Sequence, residues 1–464
     1  MTKLLNNTSN KMLNYIVMLM LLVSSACQKS DDQDNTNKPN PNTDPAQYGT
    51  PYNGVPDAPD AVIYQVNMRV FSPNGDFKGV ISRLDSIKNL GVNVIYLMPI
   101  YPVGVLNAIN SPYCIKDYKA VNTEFGTLND LRNLIESAHE KNMAVILDWV
   151  GNHTSWDHVW MSNANWYKRD NSGKIISPNG WTDVAQLNFD NSDMRKAMIK
   201  AMKYWVLTAN CDGFRCDYAD GPPVDFWRQA IDTLHKISSH KLLMLAEGTR
   251  AENFDAGFDF NFGFRFYDQL KKVYTNNQPA TDFNTVNTSE YTGADPNNRV
   301  VRYITNHDVN SSDGTPLDLF GGNKGSMSAF IVAAYMKGVP MIYNGQEVGT
   351  PFRLTFPFTN STINWSLNPT MVSEYKRIIS FYNNSDAIRK GTLTAYSNNT
   401  VCAFTKTTDL QNVFVISNLR NADVTYTVPS GLTGSGWKDA FTGNPVQVES
   451  IINLAPYSYL VLIK

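Results

Sequence analysis

The chain has 464 residues, enough for two or three domains, and the composition of an ordinary globular protein. Its 40 basic and 42 acidic side chains leave a net charge of −2, which gives no sign of the basic face that nucleic acid or an anionic membrane surface requires. Aromatic residues make up 12%, with nine Trp and 23 Tyr; most would fill a large core, and flat ring faces also suit sugars.

At the N-terminus, Lys3 and Lys11 precede an apolar run over 12–23, then Ser24, Ser25, Ala26 and Cys27. A charged stretch, a short apolar segment and small residues before a cleavage point read as a secretory signal. The run is shorter than the roughly 20 residues that span a bilayer. Ending at Cys27, it resembles a bacterial lipoprotein signal, in which that Cys becomes the acylated first residue, although Ser24 stands where Leu is usual. The acidic stretch that follows resembles the surface-export signal of lipoproteins in the Bacteroides group. Residues 1–27 are therefore expected to be a signal peptide and Cys27 to be lipidated. The chain would then be anchored at the cell envelope, on the outer-membrane surface. Residues 28–57, rich in Asn, Asp and Pro, are expected to form a flexible linker.

Globular patterning begins near residue 58. Eight short apolar runs, at 61–71, 91–100, 143–150, 211–217, 241–248, 257–262, 300–308 and 338–349, alternate with amphipathic segments. In the segment 127–141, Leu128, Leu131, Ile135 and Ala138 share a helical face, and Thr127 with Asp130 resembles a capping box. Eight such units over 58–386 predict an α/β fold, a (β/α)8 TIM barrel. The segment 152–186, after the third strand, lacks periodicity and reads as an inserted domain. From 387 to 464 the pattern changes to short alternating strands with Gly, Asn and Pro turns, which predicts an antiparallel β-sandwich. Beyond Cys27, the four cysteines Cys114, Cys211, Cys216 and Cys402 have no metal-binding spacing and are expected to be buried thiols.

Chemistry in such a barrel sits at the C-terminal ends of the strands. Strand three is expected to end in Asp148, strand four in Asp217, strand five in Glu247 and strand seven in Asp308. Four acids at one rim are costly unless each is paired or hydrogen-bonded. Glycoside hydrolysis gives them work: an ionised carboxylate as nucleophile, with its pKa lowered by a guanidinium, and a protonated carboxyl in an apolar setting as acid. Arg215 and Asp217 share one face of strand four, and Glu247 follows the apolar run KLLMLA.

With these residues the chain resembles the α-amylase family of glycoside hydrolases. DWVGNH (148–153), GFRCD (213–217), Glu247 after an apolar strand, and TNHD (305–308) match that family's four motifs in order, and AQLN (185–188) resembles a further one. The resemblance implies that Asp217 is the nucleophile, Glu247 the general acid and base, and Asp308 the acid that holds sugar hydroxyls. It implies that Arg215 holds Asp217 ionised, that His153 and His307 donate hydrogen bonds to the sugar, and that Tyr113 is the platform beneath it. Asp148 would support the site through Arg215 or His153. Asn152 is a calcium ligand in many relatives, but the insertion offers few acids: Asp157, Asp170 and Asp183. A structural calcium at Asn152 is thus an open expectation, and the chemistry itself requires no cofactor.

The expected substrate is an α-glucan or maltooligosaccharide, cleaved mainly at α-1,4 bonds with retention, by a monomer without nucleic-acid partners. A transglycosylase or isomerase acting on sucrose, trehalose or maltose would use the same residues, and a non-catalytic glycan-binding lipoprotein would tolerate their loss. One departure bears on the substrate. Where many members carry Lys and His, three and four residues after the nucleophile, this chain has Asp220 and Gly221.

Overall fold

In the computed structural model the described residues are 43–359 and 361–464. The signal segment 1–27, Cys27 and the linker up to residue 42 lie outside them. Within the described residues, the apolar runs become strands buried on both faces, as a parallel sheet covered by helices requires. They are β1 (Ile63–Val66), β2 (Val94–Leu97), β3 (Ala144–Val150), β4 (Gly213–Asp217), β5 (Leu243–Ala246), β6 (Phe260–Phe262), β7 (Arg299–Arg302) and β8 (Val339–Tyr343). Each pairs in parallel with its chain neighbours, and β8 pairs with β1 to close the barrel.

The expected helix forms over Leu128–Glu140. Thr127 Oγ1 accepts from the Asp130 N–H at 3.2 Å, and Asp130 Oδ2 accepts from the Thr127 N–H at 2.9 Å, closing the capping box. Its buried face is Leu131, Leu134, Ile135 and Ala138, with Leu128 only half-buried. The helix Ser192–Ala209 stops at Asn210, which takes a left-handed conformation (φ 60°) and turns the chain into β4. Among the described residues, no helix is long and apolar enough to cross a membrane.

Part of the expected linker is docked rather than loose. Tyr48 donates its N–H to Leu207 O at 2.7 Å and its hydroxyl to Glu136 at 2.7 Å, and Tyr52 stacks on His139 at 4.4 Å. Aromatic anchors on two barrel helices offset the chain entropy that a polar, Pro-rich composition would otherwise keep. The insertion is built on a two-stranded antiparallel ribbon, His153–Ser155 with Val184–Gln186, and three short 3-10 turns.

The C-terminal domain has strands β9 (Thr392–Ala395), β10 (Val401–Thr407), β11 (Asn412–Asn418), β12 (Val424–Thr427), β13 (Gly434–Asp439), β14 (Pro445–Val448), β15 (Ile451–Leu454) and β16 (Tyr459–Ile463). Six form an antiparallel sheet in the order β9-β10-β11-β16-β13-β14, and β12 pairs with β15. Side chains alternate between the faces. Cys402, Phe404, Val413, Val415 and Val461 join the barrel core, while Val401, Ala403, Phe414, Ile416 and Leu462 form a second core with Tyr426, Trp437 and Leu454. Cys114, Cys211, Cys216 and Cys402 are all buried and free.

Candidate active site

Barrel pairing sets Asp148 beside Arg215 and Val150 beside Asp217 across β3 and β4, and the N–H of Glu247 bonds Cys216 O at the end of β5. Gly213 makes this packing possible. It sits at φ 141°, and a Cβ there would lie 1.9 Å from Leu243 O on β5. The Arg215 guanidinium is fully buried. Its Nη1 donates to Asp148 Oδ1 at 2.7 Å and Asp217 Oδ1 at 3.0 Å, and its Nη2 lies against Glu247 Oε1. That last contact is off the hydrogen-bonding axis and is electrostatic in character. One cation thus serves three carboxyl groups.

Two expected strand-end positions differ in the structure. Asp148 lies two residues inside β3, beneath the rim, where the Tyr96 and Tyr113 hydroxyls donate to its Oδ2 at 2.7 and 3.0 Å. Asp308 is not on β7, which ends at the buried ion pair of Arg302 with Glu290 (2.8 Å). The chain crosses the rim to Asn306, whose Oδ1 accepts from the Asp308 and Val309 N–H groups at 2.9 Å and starts the helix His307–Ser312. Asp308 stands in the first turn of that helix, with a side chain 56% exposed.

A cavity of about 610 Å³ opens here, lined by Tyr113, His153, Asp217, Glu247, His307 and Asp308. Arg215, Asp148 and Asn152 are buried and absent from its lining. His307 is fixed from behind: Gln65 Nε2 lies 2.8 Å from its Nδ1, and its Nε2 lies 2.7 Å from the Tyr113 hydroxyl. Donors and acceptors match along this line if Nε2 carries the ring proton and the Tyr113 hydroxyl donates onward to Asp148. Burial holds the His307 pKa below its ordinary value and brings that of His153 down to about 4, so both rings are neutral donors at neutral pH.

The acids do not follow the simple expectation that Arg215 keeps Asp217 low. Burial pushes the Asp217 carboxyl up to about 7; Arg215 pulls it down, and Asp148 and Asp308 push it up. Burial also raises Glu247 well above the carboxylate range, against the pull of Arg215 and with repulsion from Asp217 and Asp308. A guanidinium divided among three carboxyl groups does not neutralise them all, and both Asp217 and Glu247 are held above the ordinary carboxylate range. The pair titrates as a unit.

Two of the three acids that the insertion offers near Asn152 are engaged elsewhere. Asn152 is buried with its Nδ2 3.4 Å from His153 Nδ1. Asp157 is committed to Lys116 at 3.2 Å and the Val105 N–H, and Asp170 folds onto the N–H groups of Ser172 and Lys174. Among the described residues, no three His, Cys, Asp or Glu side chains converge to hold a metal.

Sequence reasoning missed Tyr96, Gln65, Tyr218 and Trp181. Gln65, a polar residue inside an apolar strand, carried a signal. Tyr218 adjoins Asp217, and its N–H donates to Glu247 Oε2 at 2.7 Å. Tyr96 and Trp181 have roles that exist only across strands and loops.

The family model "Alpha amylase, catalytic domain" matches residues 28–179 and 166–413. Alpha-amylase 3 of Dictyoglomus thermophilum is 27% identical over 70% of this chain and 71% of its own length. Alpha-amylase MalA of Haloarcula japonica is 26% identical over 83% of this chain, which spans 59% of that protein. The crystal structure of an alpha-amylase from Lactobacillus plantarum superposes with a TM-score of 0.78 at 24% identity, covering 88% of this chain and 99% of that one, which bears on the fold. A closed eight-stranded barrel, a rim of acids around one buried arginine and a family match over most of the chain agree: the protein belongs to the alpha-amylase family and is a glycoside hydrolase.

Proposed function

We propose that the protein cleaves α-glucosidic bonds, mainly α-1,4, in starch-derived glucans or maltooligosaccharides, with retention of configuration. The observation that carries this reading is the single buried guanidinium of Arg215 shared by Asp148, Asp217 and Glu247 at the floor of the cavity. Asp217 attacks the anomeric carbon while Glu247 gives its proton to the departing oxygen, so the glycosidic bond breaks as the ester to Asp217 forms. Glu247, now ionised, takes a proton from water; the water oxygen attacks the same carbon and Asp217 leaves. Asp308 binds sugar hydroxyls, Tyr113 lies under the ring, the neutral His153 donates to it, and His307, whose ring nitrogens face Gln65 and Tyr113, holds Tyr113 in place. Arg215 lowers the charge that Asp217 and the ionised Glu247 place in a dry pocket.

This order needs Glu247 protonated and Asp217 ionised together. The raised Glu247 supports its role as acid, and the pull of Arg215 on Asp217 supports the ionised nucleophile. The test is a chromatographic product profile on starch, pullulan, maltotriose, isomaltose, sucrose and trehalose, with the product anomer read by proton NMR. Glucose or maltose released from the starch substrates as the α-anomer is expected. Transfer or isomerisation of sucrose, trehalose or maltose without net hydrolysis would overturn the reading.

Cys27 and the sequence before it support lipid anchoring at the outer-membrane surface. Metabolic labelling with a palmitate analogue should mark the wild type and not Cys27→Ala; equal labelling of both would contradict it.

A further inference from the structure

The departure at Asp220 and Gly221 has a structural cause. A Cβ on Gly221 would lie 2.5 Å from the Tyr218 ring and 2.8 Å from Asn152 Oδ1, so the glycine makes room for the tyrosine. Asp220 is turned to the neighbouring loop. It accepts from the Thr249 N–H at 2.9 Å and Asn253 Nδ2 at 3.0 Å, and faces Arg250 Nε at 3.4 Å. The usual polar pair of this position is thus replaced by a brace and a gap.

The gap is filled by an aromatic side chain under strain. Tyr218 has φ 44°, a left-handed conformation rare for a bulky residue, closed by the Gly221 N–H to Tyr218 O at 2.9 Å. Its ring meets that of Trp181 edge-on, with centroids 5.3 Å apart at 74°. Trp181 touches His153 in the same way at 5.6 Å and 71°, lines the cavity, and remains 40% exposed. Trp181, braced by two perpendicular rings, thus leaves part of its indole surface open in the cavity wall.

This face belongs to the leaving-group side. Glu247 is turned toward Tyr218 by the 2.7 Å bond from the Tyr218 N–H, whereas Tyr113 and His307 stack together at 5.4 Å beside Asp148. The acid must point at the oxygen it protonates, so the departing sugar lies beside Tyr218.

We propose that Trp181 and Tyr218 form an aromatic platform that grips the leaving sugar by its apolar ring face, beside the braced Asp220 in the same cavity wall. The proposal rests on the roles given above to Asp217 and Glu247. It makes leaving-group selection depend on ring shape and stacking, and favours uncharged pyranoses.

The test uses the full chain and two substrates, maltotriose, which has a leaving sugar, and α-maltosyl fluoride, which does not. Losing a stacked indole face should lower kcat/KM of Trp181→Ala on maltotriose by about 30-fold. The loss should be at least about tenfold larger than on the fluoride, and Trp181→Phe should recover most of it. Equal losses on both substrates, or none on either, would overturn the platform. Unaltered melting of the variants shows that the fold is retained. Wild type that turns over neither substrate would instead contradict the hydrolase reading, and the platform would fall with it.

Discussion

The hydroxyl of Tyr113 lies 2.7 Å from His307 Nε2 and 3.0 Å from Asp148 Oδ2, so one phenol joins a cavity-lining histidine to a carboxylate that never reaches the cavity. Tyr96 makes a parallel bond to the same Oδ2 at 2.7 Å from a fully buried position. The two tyrosines separate positioning from stability. Tyr113→Phe should lower kcat by about 10- to 100-fold, the scale of a misplaced donor. Tyr96→Phe should chiefly lower the melting temperature, because a buried carboxylate loses one of its bonds at a cost of about 1–3 kcal/mol. Kinetics and thermal melts on both variants check this; equal kinetic loss in the two would contradict it.

Arg215 pulls the Asp217 pKa down against burial. Removing the guanidinium should therefore move the acid limb of the kcat/KM profile upward by about one pH unit or more, and lower kcat by roughly 10²-fold or more. Arg215→Lys, which keeps the charge but not the fork, should shift the limb less than Arg215→Ala. An unchanged acid limb in Arg215→Ala would count against the role.

Asp217 costs the fold stability when it is ionised. The folded carboxyl keeps its proton up to about pH 7, whereas the unfolded one releases it near 3.8. Its contribution is therefore fully present below 3.8 and is lost as pH rises through 7. Asp217→Asn, similar in shape and never charged, should be more stable than wild type at pH 8 by about 2–4 kcal/mol, and the gain should fade toward pH 4. His153 acts in the opposite sense, since its pKa falls from 6.5 to about 4, but it is common to both proteins and cancels in the difference. Denaturant melts at pH 4, 6 and 8 measure this, and a gain independent of pH would contradict it.

The barrel was legible because parallel strands buried on both faces leave continuous apolar runs. The C-terminal sheet was less so. β13 carries Gly434 and Gly436 at positive φ with an irregular register before Trp437, so alternation is broken where the strand forms. Asp217 and Glu247 could be assigned to the rim because they end or adjoin strands, with Arg215 two residues below on the same face as Asp217. Asp308 lines the same cavity as expected, but a loop and a helical cap, rather than strand period, set its position. Asp148 was expected to reach the rim and instead serves from beneath it, through groups on β2 and β4. The docking of Tyr48 and Tyr52 was hidden because two aromatic anchors in a polar segment do not change its composition.

Gly213 tests the geometry on which the site depends. Any Cβ at this position meets a backbone oxygen, and the conformation itself disfavours side chains. Gly213→Ala should destabilise the protein by about 3 kcal/mol or more, or prevent soluble expression, by opening the Gly213–Leu243 pairing that brings β4 and β5 together. A variant that melts like wild type would contradict this packing.

The central claim is that Asp217 forms a covalent bond to the sugar while Glu247 supplies the proton. Trapping with 5-fluoro-α-D-glucosyl fluoride, read by intact mass and peptide mapping, tests it most directly. The expected result is one added fluoroglucosyl group per chain on the peptide carrying Asp217, with none on Asp217→Asn. A label on another carboxylate, or full turnover on starch with product of inverted configuration and no adduct, would contradict it.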